Sequence, residues 1–282
     1  MSFAFFVMSN SLSSGQREID SNTAFGSAVR TGGSDRSAVL CKYPVAIDEG
    51  RFAEHGLHRA VIVGVVGLVL AAGTTILAMR GSPGAVDVAV FRWFNDPPGV
   101  VGFVLRCVNP LLRPAGLALI VVAALIVLAV LRPEGAGWLV LSAAAAALLA
   151  YVVTHALKDV VDRGRPPAYL DDVLVHGYPV DPHGSGFPSS HTSVTVALIV
   201  GAWPWLTRPW RIVGVVTATA IGLNRMYVGA HFPLDVLGGI GVGMACGGTV
   251  LVVQCSLRQA SGAGVQPRRR RGRDSGLPGH FE

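Results

Sequence analysis

The chain has 282 residues, of which 51% are hydrophobic and only 14% charged, with a formal net charge of +6. Its mean hydropathy is +0.52. Soluble domains carry about 25% charged residues, so this composition excludes an ordinary soluble domain and points to a chain held largely in lipid. The net positive charge does not mark a nucleic-acid partner. Its densest cluster, Arg268 to Arg271 plus Arg273, lies just past the last apolar run. A juxtamembrane basic segment there marks the cytoplasmic side and meets anionic headgroups. The four cysteines (Cys41, Cys107, Cys246, Cys255) lack the spacing of a metal site or a disulfide framework.

In chain order, residues 1–55 are rich in Ser, Gly and charge and read as a cytoplasmic tail without periodic structure. Six apolar segments follow: Ala60 to Met79, Leu111 to Leu131, Ala136 to Leu157, His191 to Leu206, Arg211 to Leu223 and Leu234 to Cys255. The fourth and fifth are shorter than the ~20 residues that cross a bilayer core, so their flanks must help or they sit inside the bundle. Between the first two, Asp87, Arg92, Asp96 and Arg106 are spaced among apolar residues. That pattern fits two short interfacial helices separated by Pro97 and Pro98. The expected fold is an all-α, polytopic bundle of six transmembrane helices over residues 56–257, followed by a basic cytoplasmic tail over 258–282. With both termini inside, Trp138, Trp203, Trp205 and Trp210 fall at the inner interface.

Three polar clusters interrupt this chain. Lys158 to Pro166 ends the third segment, Pro188-Ser189-Ser190-His191 opens the fourth, and Asn224 to Asp235 enters the sixth. Alternating crossings bring all three out on one face. Lys158, Arg165 and Arg225 are cations that belong beside a bilayer only if an anion meets them, and the arginine fork matches phosphate oxygens. Ser189 and Ser190 open one helix and Pro233 another, and a helix N-terminus offers free amides and a favourable dipole to an anion. Asp235, four residues after His231, is placed to accept a proton from one imidazole nitrogen and leave the other as a nucleophile. His191 is placed to act as a general acid.

Each signal has a plainer reading. Lys158 alone is a snorkelling anchor, Arg165 and Arg225 are topology charges, His191 is a polar helix start, and His231 with Asp235 is a structural hydrogen bond. Their order and spacing together outweigh these readings. His176 and His183 read as loop residues near a substrate entrance, His155 as packing, Asp162 and Arg163 as shaping the loop, and Tyr227 as pocket wall.

Lys-x6-Arg-Pro, Pro-Ser-x-His and Arg-x5-His-x3-Asp, in that order, resemble the signature of the type 2 phosphatidic acid phosphatase superfamily, a group that includes bacterial lipid phosphatases, undecaprenyl diphosphate phosphatases and vanadium haloperoxidases. The resemblance covers residues 60 to 255. It implies a bacterial cell-membrane enzyme with an extracytoplasmic site and no metal or other cofactor. Its substrate would be a lipid phosphate or diphosphate, of the undecaprenyl diphosphate, phosphatidic acid or phosphatidylglycerol phosphate class, cleaved through a phosphohistidine. Carried over by residue, it makes His231 the nucleophile, Asp235 its orienting carboxylate and His191 the acid. Lys158, Arg165, Arg225, Ser189 and Ser190 then bind phosphate. The chain departs from the pattern at Ser190, where the family often has Gly, and at Asn224, where it usually has Ser; Asn224 keeps the ability to hydrogen-bond phosphate. A phosphotransferase on the same site and a non-catalytic lipid-binding or transport protein are the rival readings.

Overall fold

A computed structural model describes residues 49–111, the single positions 122, 123, 126, 127 and 130, and residues 136–176 and 180–262. The expected second span, apart from Leu111 and those single positions, lies outside the described residues. So do residues 1–48 of the N-terminal tail and the C-terminal arginine cluster. The described residues are helical, without a strand. The helices are α1 (Glu49–Ala78), α2 (Ala85–Asn95), α3 (Gly99–Val108), α4 (Ala136–Val161), α5 (Ser190–Ala202), α6 (Arg208–Tyr227) and α7 (Pro233–Gly262). Two single 3₁₀ turns, Pro166–Ala168 and Trp203–Trp205, sit in the connections.

Three stretches are long and apolar enough to cross a membrane: Gly56–Ala78, Gly137–Ala168 and Pro233–Arg258. α1 begins at Glu49, inside the segment expected to be tail, and α7 runs to Gly262. Both extensions are polar, and hydropathy alone does not detect helix that continues beyond the bilayer. α5 has 13 residues, about 20 Å of helix, too short to cross unaided. The two short helices expected on either side of Pro97 and Pro98 are present as α2 and α3.

Glycines on α7 set how closely the helices approach. A Cβ at Gly241 would lie 2.5 Å from the Ala71 nitrogen, and one at Gly248 would lie 2.6 Å from Gly64. This stripe therefore seats α1 backbone to backbone. A second stripe meets α5: a Cβ at Gly239 would lie 2.8 Å from the Ser189 carbonyl oxygen, and one at Gly243 2.6 Å from that of Ser193. Between helices in lipid the hydrophobic effect offers little, and small residues gain stability by letting backbones touch. The consequence for the site is that the first turns of α5 and α7 are locked side by side. Elsewhere on α1, Leu68, Val69 and Ile76 are exposed, as a lipid-facing surface requires.

At the far end of the bundle, the Arg258 guanidinium lies 4.9 Å from the Trp138 ring and Arg211 lies 5.2 Å from Trp203. Trp138 and Lys158 are twenty residues apart on α4, about 30 Å along the helix. The aromatic–arginine belt and the polar motifs thus occupy opposite ends of the bundle.

Candidate active site

Asp162, at φ 42°, ends α4 in the left-handed conformation common just past a helix C-terminus. The turn directs Lys158 and the two arginines that follow differently. Lys158 Nζ donates to the Ser185 carbonyl at 2.7 Å, tying the first motif to the loop before α5. Arg163, read from sequence as a loop-shaping residue, is instead turned inward with 1% of its side chain exposed. Its Nη1 donates to Asp235 Oδ1 at 2.6 Å and its Nη2 to Asp87 Oδ2 at 2.5 Å. Its guanidinium also lies 5.0 Å from the Phe232 ring centroid. Arg165 stays beside the Gly184 backbone, where an added Cβ would be 3.3 Å from its Cζ.

His231 lies in the loop just before α7 and is almost fully buried. Its Nδ1 sits 2.8 Å from the Gly186 carbonyl oxygen. A carbonyl can only accept, so Nδ1 carries the proton and the Nε2 lone pair is free. The hydrogen bond expected from His231 to Asp235 is not made, because His231 Nδ1 and Asp235 Oδ2 are 3.8 Å apart. One-turn spacing brings side chains together only within a helix, and α7 starts at Pro233, after His231. Asp235 is the third residue of that helix, and its Oδ2 accepts the Phe232 N–H at 2.8 Å. This is the carboxylate half of a capping box.

The helix starts are not equivalent. At α7, Pro233 has no N–H, the Leu234 N–H donates to Asp87 Oδ1 at 2.9 Å, and those of Asp235 and Val236 go to the Phe232 carbonyl. The expected anion site at this terminus is therefore filled by the protein itself. At α5, the amides of Ser190, His191 and Thr192 have no backbone acceptor among the described residues, and Ser189 makes no side-chain cap. Ser189, expected to bind phosphate, is fully buried and occupied: its N–H donates to the Asp235 carbonyl at 3.0 Å and its Oγ accepts from Thr192. Ser190, partly exposed, remains at the mouth with His191.

Burial, and then the charges of Arg225, Lys158 and Arg165, hold the His231 imidazole well below its ordinary pKa; the Gly186 hydrogen bond offsets part of this. His191 lies within the field of the same three cations and of His231. No carboxylate among the described residues pairs with Arg165 or Arg225, and the Nε–H of each is buried without an acceptor. Asn224 is 1% exposed, with its Oδ1 unpartnered. His176 does not sit free in its loop: it stacks on Tyr227 at 4.2 Å, and its Nε2 lies 3.0 Å from the Asn95 carbonyl. His155 bonds its own helix at Tyr151, and His183 is exposed. Among the described residues no three His, Cys, Asp or Glu side chains are grouped to hold a metal ion.

Long apolar helices, with two histidines and three cations gathered at one end, define a helical membrane protein with a cationic site. Residues 139–258 match the model of the PAP2 superfamily. The lipid A 1-phosphatase of Rhizobium etli is 32% identical over 94 residues, which are 33% of this chain and 40% of that protein. The decaprenylphosphoryl-5-phosphoribose phosphatase of Mycobacterium tuberculosis is 33% identical over 117 residues, 40% of this chain and 59% of that protein. The matches thus span two to three fifths of the length of these curated relatives. A crystal structure of Aquifex aeolicus LpxE aligns with a TM-score of 0.49 and 27% identity, covering 60% of this chain and 96% of that one.

Proposed function

We propose that this chain is a membrane phosphatase that hydrolyses a lipid-borne phosphomonoester or diphosphate through a phosphohistidine on His231. One observation carries the reading. Among the described residues no carboxylate pairs with Arg165 or Arg225, and their charges act on an imidazole whose tautomer leaves Nε2 free. Both arginine side chains are partly buried, each with a buried Nε–H that lacks an acceptor, and a bound oxyanion relieves the cost of withdrawing such groups from water. Relatives that are phosphatases of lipid A and of decaprenylphosphoryl-5-phosphoribose support a lipid-borne substrate.

Lys158, Arg165, Arg225 and the α5 amides hold the phosphoryl oxygens, and Asn224 lines the pocket beside Arg225. His231 Nε2 forms a bond to phosphorus as the ester P–O bond breaks, and His191, protonated once the phosphate's negative charge offsets the cations around it, gives its proton to the departing oxygen. Water then attacks phosphorus, returns a proton to His191 and breaks the P–N bond. Each well-placed electrostatic donor contributes about 3–4 kcal/mol to such a transition state. Asp235, read from sequence as the carboxylate that orients His231, here fixes the backbone on which His231 sits. The six-crossing topology, with the site on the extracytoplasmic side of a bacterial cell membrane, belongs to the same proposal.

The test is phosphate release by purified wild type and His231→Ala from undecaprenyl diphosphate, phosphatidic acid and phosphatidylglycerol phosphate, with and without EDTA. We expect turnover of at least one lipid by wild type in EDTA and none by the variant. A strict requirement for added divalent metal, or an active His231→Ala, refutes the mechanism.

A further inference from the structure

We propose that Asp87 is a positioning residue for His231, an inference that rests on His231 being the nucleophile. Asp87 lies in the first turn of α2, outside the segment that matches the family. Its side chain is 11% exposed and both oxygens are engaged, Oδ2 with Arg163 and Oδ1 with the Leu234 N–H. Arg163 carries the link onward to Asp235, which takes the Phe232 N–H. Pro233 has no N–H, so the backbone after His231 can be held by its amides only at residues 232 and 234. Two carboxylates joined through one guanidinium hold both positions. One turn along α2, Phe91 packs edge-on against Phe232 at 5.3 Å between ring centroids.

The imidazole is held from the other side by the same residue. The Gly186 carbonyl that accepts the Nδ1–H belongs to a residue whose N–H donates to the Arg163 carbonyl at 2.6 Å. Both constraints on the direction of Nε2 therefore meet at Arg163, and Asp87 fixes the outer arm of its guanidinium.

The chemistry of the carboxylate makes the role testable. A carboxylate accepts from Arg163 and Leu234 together. A carboxamide has one acceptor oxygen and one donor nitrogen, so Asp87→Asn satisfies one partner and confronts the other with a donor. It leaves Arg163 paired with Asp235, so no anion is stranded. Asp87→Glu keeps both acceptors but displaces them by one methylene.

Wild type, Asp87→Asn and Asp87→Glu are to be purified in detergent and compared for melting temperature, kcat, KM and inhibition by vanadate. Misplacing a reacting group by about 1 Å costs on the order of 10²-fold in rate. We therefore expect kcat to fall about tenfold or more for Asp87→Asn and about three- to tenfold for Asp87→Glu. KM should stay within about threefold, because Lys158, Arg165 and Arg225 are untouched, whereas vanadate, a mimic of pentavalent phosphorus that bonds the same Nε2, should lose potency in step with kcat. A kcat unchanged per folded molecule, or a rise in KM at constant kcat, overturns the inference. If Asp87→Asn is not recovered folded, Asp87→Glu decides, and wild-type kcat there overturns it. If neither variant folds, Asp87 serves folding alone and the inference is overturned. Wild type inactive on every phosphate ester sinks the phosphatase reading and this inference with it, whereas active wild type with a fully active Asp87→Asn sinks the inference alone.

Discussion

Replacing Arg163 with methionine isolates the charge chain on which the site is built. Methionine keeps much of the side-chain volume, so the dominant loss is the cation that lies between Asp87 and Asp235. Side-chain exposures of 1% for Arg163, 0% for Asp235 and 11% for Asp87 mean that little solvent is present to screen what remains. Breaking one buried pair by removing a partner costs about 3–5 kcal/mol. Here one substitution strands two carboxylates, so the upper end, about 5 kcal/mol, applies. For a chain of this size each kcal/mol moves the melting temperature by roughly 2–4 °C, so Arg163→Met should melt about 10–20 °C below wild type. Thermal unfolding in detergent measures this directly. Adding Asp235→Asn removes one stranded charge, and the double variant should be more stable than the sum of the single effects by about 0.5–3 kcal/mol. A melting temperature within about 2 °C of wild type, or strict additivity in the double variant, refutes the energetic role of this chain.

Gly186→Ala should lower kcat about three- to tenfold and weaken vanadate inhibition in step, with little change in KM. Its Cβ would lie 3.0 Å from the Gly164 carbonyl oxygen and 3.3 Å from Asp235 Oδ2, so the carbonyl that holds His231 must shift by a few tenths of an ångström. An unchanged kcat would show that this carbonyl does not align the nucleophile. The pH profile tests the field around His231. A nucleophile must be unprotonated, and this imidazole is held well below its ordinary value. The rise of kcat/KM with pH that reports His231 should therefore lie below pH 6.5, ahead of the fall that reports loss of the acid's proton. Arg225→Gln removes the largest charge contribution and should move that limb upward; a wild-type limb at or above 6.5 contradicts the argument.

The helices were legible where apolar runs end in charge or proline. α4 begins at Ala136 and α7 at Pro233, at or within one residue of the hydropathy boundaries. The starts of α1 at Glu49 and α6 at Arg208 were not legible, because their first turns lie in charged sequence. Lys158, Arg165, Arg225, His191 and His231 were legible because charge and imidazole stand out beside lipid-length apolar sequence. Asp87 and Arg163 were missed because their contact joins residues 76 apart, and no spacing rule reports such a pair. A signal was nevertheless present. Asp87, Phe91 and Asn95 recur every four residues on α2, and Phe91 and Asn95 are buried. Polar residues in line with the buried side of an amphipathic helix require partners, since burying a polar group without one is unfavourable.

The same physical rule explains why one helix start kept its expected role and the other did not. Free amides at a helix N-terminus attract whichever anion is nearest, and at α7 the nearest anions are Asp87 and Asp235 of the protein itself. That terminus is thereby converted from a binding site into a rigid mount for the residue before it. At α5 the Ser189 side chain makes no cap, and among the described residues the amides of Ser190, His191 and Thr192 stay without a backbone acceptor. The Ser189 N–H donates across to the Asp235 carbonyl, and the α7 glycines keep the two termini in contact. Binding and presentation of the nucleophile are thus divided between two adjacent helix starts. Substitutions of Ser190 at the α5 mouth should be felt mainly in substrate affinity, and those of the acid His191 and of the Asp87–Arg163–Asp235 chain mainly in turnover.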